Sequence, residues 1–557
     1  MSFIKTVDEI SSKPRNRRAW LLLACAIFIS IIVIPSIFVI FSIPLHWDGI
    51  SETLNDSVKM NIIWTSIWNS FSLAFVVTII DILVGLPMSW MLVRKNYKFN
   101  KYLDTLIDMP LAFPTVALGF SVVLFWGCPD GVTVPGLGIV MSPYIMLVLL
   151  HLIFTYPYMV RCLSGILEQI DENYETAAMT LGASKWTAVR TITLPLFRTG
   201  LVAGFILCFA RSLSETGGTY IVLEMMGVSS LDVNGFFSGP TLITQLKNVA
   251  HATGTDATPE LILVSTMLII FALLMLIVVK AIMDRIKLPW KKVWPEFGRK
   301  ISSKKVAGVK DTLAILFAVI FILLPSFFIF IYLTAEGPMP DLSGFFSAVG
   351  MSFLIAGVAT VFDIIFGIPI ALYIARNRGT KIAGIMDTLV NVPLIIPTTA
   401  LGFSLALFWG NLGMSSMGVL LVILGHISFT YPLLVRNLVG AIEEVDPSYE
   451  EIARTLGAKP FQAFRKVLLP IVQSSLLAGA VLSFTRSLGE TGATQAIADN
   501  VVTVPVYIVN LIQEGRLLGD PAFFYQAAIS SMMLIVICFV LMFGIRMVVE
   551  RMGGKTR

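Results

Sequence analysis

Long apolar runs separated by short polar segments dominate this chain. Their lengths match membrane-crossing helices, which need about 20 apolar residues. In the amino-terminal part the runs lie near 20–42, 64–93, 104–127, 143–165, 200–224 and 260–283. In the carboxy-terminal part they lie near 312–333, 349–375, 383–410, 417–440, 475–497 and 525–548. The pattern predicts an all-α polytopic membrane protein with twelve transmembrane helices. The first run, starting near Trp20, is too long for a signal-peptide core and lacks a small-residue cleavage site, so it is expected to stay as a span.

The runs form two matching sets. TLIDMPLAFPTVALGFSVVLFWG at 105–127 returns as TLVNVPLIIPTTALGFSLALFWG at 388–410. HLIFTYPYMVRCLSGILEQIDENYETAAMTLGA at 151–183 returns as HISFTYPLLVRNLVGAIEEVDPSYEEIARTLGA at 426–458. DILVGLPMSW at 81–90 pairs with DIIFGIPIAL at 363–372. The expected organisation is a first half of six spans at 1–283, a basic linker at 284–311 and a second half of six spans at 312–557. An even number of spans separates the copies, so the two six-helix repeats run parallel. Parallel repeats predict a pseudo-two-fold axis along the membrane normal, with a pathway between the halves.

Charge adds orientation. Lys5, Lys13, Arg15, Arg17 and Arg18 precede the first run, Arg94, Lys95, Lys98 and Lys101 follow the second, and the linker is basic. The alternate segments CPDGVTVPGLGIVMSP and AEGPMPDLSGFF hold no Lys or Arg. The positive-inside rule therefore places both termini and the linker in the cytoplasm, with the chain expected in the cell membrane.

Composition narrows the function classes. The chain is 56% hydrophobic and 13% charged, with mean hydropathy +0.85, against roughly 25% charged in soluble proteins. A net charge of +5 on so apolar a chain does not indicate a nucleic-acid partner. Cys25, Cys128, Cys162, Cys208 and Cys538 are scattered, with no disulfide framework or metal spacing.

The longest repeated polar segment follows the fourth run of each half. Tyr174, Ala177, Ala178 and Leu181 recur at helical spacing, as do Tyr449, Ile452, Ala453 and Leu456. Gly182 and Gly457 follow, suited to a left-handed turn or a close backbone approach. Ser184 is a candidate cap for a second short helix and Pro460 a candidate helix start; Pro195 and Pro470 close the segments. Such a stripe packs a helix either on its own bundle or into a partner's groove. Two cytoplasmic copies favour the partner.

These residues resemble the EAA loop of binding-protein-dependent ABC importer permeases. The first copy is Glu175-Thr176-Ala177-Ala178 with Gly182, Ile192, Leu194 and Pro195. The second is Glu450-Glu451-Ile452-Ala453 with Gly457, Val467, Leu469 and Pro470. The first Ala of the triplet is replaced in both. The resemblance covers roughly 60–280 and 345–545 and implies a fused type I permease. It also implies two cytoplasmic ABC ATPase subunits, an extracytoplasmic solute-binding protein, and ATPase-coupling roles for Glu175, Ala178, Gly182, Glu450, Ala453 and Gly457. ATP and Mg would sit on the partner subunits. This chain is expected to bind no cofactor or metal and to catalyse nothing. A phosphate loop needs G-x-x-x-x-G-K-[ST], and at the tail ERMGGKTR the first glycine position holds Val549.

Charge inside lipid costs a few kcal/mol or more and faces the bundle interior or a water path. RSLSETGGT at 211–219 and RSLGETGAT at 486–494 each place an Arg–Glu pair near mid-span, at helical i,i+4 spacing. Arg211, Glu215, Thr216, Arg486, Glu490 and Thr491 are the candidate pathway residues, with a structural ion pair as the alternative role. Asp81 and Asp363 form a second buried set, expected as partners of a polar group. The prolines Pro110 with Pro114 and Pro393 with Pro397 predict either a kink or a helix break whose freed N–H groups could meet an anion.

RSLGETGAT together with DMPLAFPTVALGF is similar to the sulfate, molybdate and tungstate permeases, and less closely to phosphate permeases, which implies an oxyanion. The four carboxylates against two arginines give no independent support for an anion. Ferric-ion, thiamine, polyamine and phosphonate permeases share the loop and stay as alternatives. An ion-coupled secondary transporter using Asp81, Asp363, Glu215 and Glu490 as proton or sodium sites is the rival class, and a non-transporting anchor a third. The loop pair argues against the former and the duplicated charges against the latter.

Overall fold

The computed structural model describes residues 8–9, 11–95, 97–127, 141–228, 238–285, 300 and 302–553. Cys128 and most of the expected linker at 284–311 lie outside them. The described residues form helices and no strands. Nine helices among them are long and apolar enough to cross a membrane, and three sharply bent helix pairs raise the number to twelve if each pair is one span.

The first half runs α1 (Pro14–Asn55), α2 (Ser57–Arg94), α3 (Tyr102–Leu111), α4 (Thr115–Trp126) and α5 (Pro143–Gln169). It continues with α6 (Asn173–Thr180), α7 (Lys185–Leu196), α8 (Arg198–Leu213), α9 (Gly217–Met225), α10 (Gly239–Thr253) and α11 (Thr258–Arg285). The second half repeats the order: α12 (Lys305–Thr334), α13 (Leu342–Arg376), α14 (Lys381–Ile395), α15 (Thr398–Asn411) and α16 (Gly418–Glu443). Then follow α17 (Ser448–Thr455), α18 (Pro460–Leu488), α19 (Gly492–Ile497), α20 (Val504–Leu518) and α21 (Pro521–Gly553).

Four of the runs differ from continuous spans. α3 and α4 meet at 106°, and α14 and α15 at 105°. Pro114 and Pro397 stand at these corners in extended conformation, each just before the helix that resumes. Proline lacks the N–H that would continue the ladder, and the bend is a break rather than a kink. The runs 200–224 and 475–497 are also interrupted, over 214–216 and 489–491.

The first span of each half lies on the other half. α1 packs on α13, α15 and α16, with Phe28 stacked on Tyr431 at 5.4 Å. α12 packs on α2, α4 and α5, with Phe317 near Tyr156 at 5.7 Å. A serine from the other half enters each swapped helix at its proline. Ser404 Oγ donates to the Pro35 carbonyl (2.7 Å) and accepts the Val39 N–H (3.0 Å). Ser121 Oγ does the same between Pro325 (2.6 Å) and Ile329 (2.9 Å). A hydroxyl thus stands inside an i,i+4 hydrogen bond, which bends a helix locally, and π turns at Phe28–Val33 and Ala318–Leu323 precede both sites.

Candidate translocation site and coupling loops

Arg211 sits in the last turn of α8 and Arg486 in that of α18. The i,i+4 spacing predicts one helical face, but Glu215 and Glu490 lie past the helix ends, in the open backbone. The ion pairs form across each end: Arg211 Nη1 to Glu215 Oε2 at 2.7 Å and Arg486 Nη1 to Glu490 Oε2 at 2.5 Å. The other carboxylate oxygen, Oε1, accepts the backbone N–H of Gly218 or Ala493, each at 3.0 Å. A carboxylate at a helix start satisfies donors that have no partner within the helix and opposes the dipole. One buried glutamate therefore serves both the arginine and the resuming helix. The guanidinium groups also lie 4.8 Å from Phe154 and 5.2 Å from Phe429, over the ring faces.

Each break is bridged by a buried histidine. His151 ring nitrogens lie 2.8 Å from Ser212 Oγ and 2.9 Å from Thr219 Oγ1, on the two sides of the break. His426 reaches Ser487 (2.6 Å) and Thr494 (3.0 Å) in the same way. Neither histidine is among the candidate pathway residues named from the sequence. Their signal is visible in retrospect, since each opens the repeated HLIFTYP or HISFTYP segment and the chain has only four histidines.

The two breaks face one another. The Thr216 hydroxyl bonds to that of Thr399. A Cβ on Gly217 would stand 2.7 Å from Thr491 Oγ1, and one on Gly492 would stand 2.7 Å from Thr216 Cβ. Closer to each corner, a Cβ on Gly218 would lie 2.6 Å from the Thr115 carbonyl, so α9 crosses the start of α4 backbone to backbone. Small residues allow such approach inside a membrane. All six candidate pathway residues thus meet at one place between the halves. Asp81 and Asp363 do not join them. Both are fully buried beside Thr155 and Thr430. Those hydroxyls also reach the carbonyls of His151 and His426 (2.6 and 2.7 Å). Each aspartate thus has a threonine hydroxyl as its polar neighbour, as the sequence leads one to expect.

The repeated loops form α6 and α17. Gly182 and Gly457 follow them at φ 93° and 90°, with nothing near a would-be Cβ, so the left-handed turn and not crowding calls for glycine. Ser184 caps α7 by accepting the Thr187 N–H at 3.2 Å, and Pro460 starts α18. Asp446 accepts the Ser448 N–H at 2.8 Å just before α17, and that bond holds its carboxyl below the usual carboxylate range. Glu175 and Glu450 point inward. Glu175 accepts the Thr193 hydroxyl at 2.8 Å and lies 3.7 Å from Arg94; Glu450 pairs with Arg376 at 2.6 Å. Both arginines also donate to the carbonyl that ends the preceding span, Ile170 (2.6 Å) or Val445 (2.8 Å). Ala178 and Ala453 are half-buried. The outward surface is made by Tyr174, Leu181, Tyr449, Ile452 and Leu456, with Leu181 89% and Leu456 84% exposed.

The model of the binding-protein-dependent transport system inner membrane component family matches this chain twice, over 81–288 and 367–554. The chain belongs to this family. The inner membrane component carries the family domain once in each half, consistent with the internal repeat. Among similar proteins, the sulfate transport system permease protein CysT of Salmonella typhimurium is 39% identical over 166 residues, 28% of this chain and 60% of CysT. The molybdenum transport system permease protein ModB of Mycobacterium bovis is 34% identical over 163 residues, 27% of this chain and 61% of ModB. A probable sulfate permease cysT of Marchantia polymorpha is 30% identical over 223 residues, 38% of this chain and 75% of that protein. The chain thus spans about three fifths of the length of the first two.

Proposed function

We propose that this inner membrane component is the permease of an ATP-driven importer for a small oxyanion of the molybdate, tungstate, sulfate and phosphate class. The observation that carries this reading is the exposed apolar stripe on both corresponding loops, in a family defined by dependence on a binding protein. The names of the similar permeases support the substrate class. Leu181, Leu456 and their neighbours dock into two ATPase subunits, while Glu175 with Arg94 and Glu450 with Arg376 tie each loop to the bundle, so that a push on the loop moves the spans. Gly182 and Gly457 shape the loop tip. The loops, both termini and the linker face the cytoplasm, and a solute-binding protein delivers the anion on the opposite face.

The path runs between the two breaks. In the closed arrangement each arginine is matched by its own glutamate. An oxyanion passing the breaks competes with Glu215 and Glu490 for the guanidinium groups and for amides at helix starts, the donors that suit such anions. The test is uptake into vesicles holding the chain with its ATPase and binding protein. ATP-dependent uptake of labelled molybdate, tungstate or sulfate is expected; uptake of ferric ion, or uptake that needs an ion gradient and no ATP, would sink the reading.

A further inference from the structure

A second pair of matched contacts joins the halves on the face opposite the loops. α10 and α20 correspond: each ends on a left-handed glycine, Gly254 (φ 68°) or Gly519 (φ 64°). α10 packs on α19 and α15 of the second half, and α20 on α9 and α4 of the first. Charges pair at both crossings. Lys247 Nζ lies 2.9 Å from Asp499 Oδ1 and donates to the carbonyls of Gln495 (2.6 Å) and Ala496 (3.1 Å), while His251 Nε2 lies 2.8 Å from Asp499 Oδ2. At the other crossing Arg516 Nη1 lies 3.5 Å from Glu224 Oε1 and donates to the Glu224 carbonyl, and Gln513 donates to the Tyr220 hydroxyl at 2.6 Å.

The pairing follows the repeat. His251 and Arg516 each stand three residues before the left-handed glycine, and Glu224 and Asp499 each stand nine residues after the break glutamate. The same two-fold thus relates His251–Asp499 to Arg516–Glu224, although the residue types differ. Such recurrence is hard to obtain from incidental surface contact.

We propose that Lys247, His251 and Asp499 at one crossing, with Arg516 and Glu224 at the other, form a two-part latch that keeps the pathway shut on this face. α9 and α19 continue directly from the breaks, whereas α10 and α20 belong to the opposite halves. Parting the breaks toward this face therefore pulls Glu224 from Arg516 and Asp499 from Lys247. Partly exposed ion pairs are individually weak, so a pair of crossings holds the closed state yet yields to a partner's binding. The latch rests on the reading of this chain as an importer's permease.

Its test needs only the full chain in nanodiscs, so it is independent of substrate and ATPase. Spin labels at Thr253→Cys and Leu517→Cys, on the two latch helices, report the separation across this face. Glu224→Gln with Asp499→Asn is expected to add a longer-distance population absent from the parent. Exchange of Lys247→Asp with Asp499→Lys is expected to restore the parent distribution more fully than either change alone. An unchanged distribution in the neutral double variant overturns the latch. So does a failure of the exchange to differ from its single variants. In the assembled transporter, the neutral variant is expected to raise ATP hydrolysis without binding protein several-fold; a parallel fall in hydrolysis and uptake would mark a merely structural role and count against it.

Discussion

Arg486 and Glu490 show how a single residue can hold two obligations. Glu490 balances Arg486 and closes the start of α19 through the Ala493 N–H. Removing the arginine leaves a buried carboxylate without its cation, a loss that costs about 3–5 kcal/mol for a buried pair. Arg486→Ala is expected to abolish uptake while ATPase subunits still co-purify, and normal uptake would reduce the pair to scaffolding. Gly217 carries a different constraint, because a Cβ there meets Thr491 and Val116. Gly217→Val is expected to cost about 1–3 kcal/mol through overpacking, read as a lowered melting temperature of the detergent-solubilised chain. Gly182→Val meets no neighbour and strains only the left-handed turn. Its expected effect is weakened coupling of ATP hydrolysis to uptake, with the melting temperature little changed.

The elements owe their shape to what interrupts them. α1 and α12 read in sequence as plain apolar spans, yet each has a hydroxyl from another helix inside its hydrogen-bond ladder. Ser121→Ala would leave the Pro325 carbonyl and Ile329 N–H to find other partners, at about 1–3 kcal/mol for an unsatisfied buried group. A lower melting temperature for Ser121→Ala and for Ser404→Ala, larger when both are combined, is the expected result. The loop helices α6 and α17 each turn one glutamate inward, Glu175 or Glu450, and leave large apolar residues exposed. Leu181→Asp with Leu456→Asp is expected to abolish ATPase co-purification without changing the melting temperature.

For the whole molecule, the exchange of first spans makes the halves interdependent. α1 covers the second half and α12 the first. A chain severed in the linker at 290 is therefore expected to reassemble when both pieces are co-expressed, and each piece alone is expected to be protease-sensitive. Recovery of one stable, monodisperse half by itself would contradict the exchange. The crossing helices α10 and α20 tie the halves together a second time.

The chain's alternation of runs, its duplication and its rare charges within apolar runs determined the class of fold, the repeated halves and the place where the candidate pathway residues gather. Apolar length is a local property, and a charge in lipid must face inward wherever the helix goes. The sequence also marked the prolines at the α3–α4 and α14–α15 corners, because a missing N–H is local too. Only the tertiary structure decided that α1 crosses to the second half, since an apolar stripe states that a helix is buried but not against what. It alone placed Glu215 and Glu490 beyond the helix ends, because the i,i+4 spacing fits an ion pair on a helix or across its end. It turned Glu175 and Glu450 inward to Arg94 and Arg376, residues 81 and 74 positions away that no local pattern connects. And it paired His251 with Asp499 and Arg516 with Glu224, contacts between halves that exist only when the chain is folded.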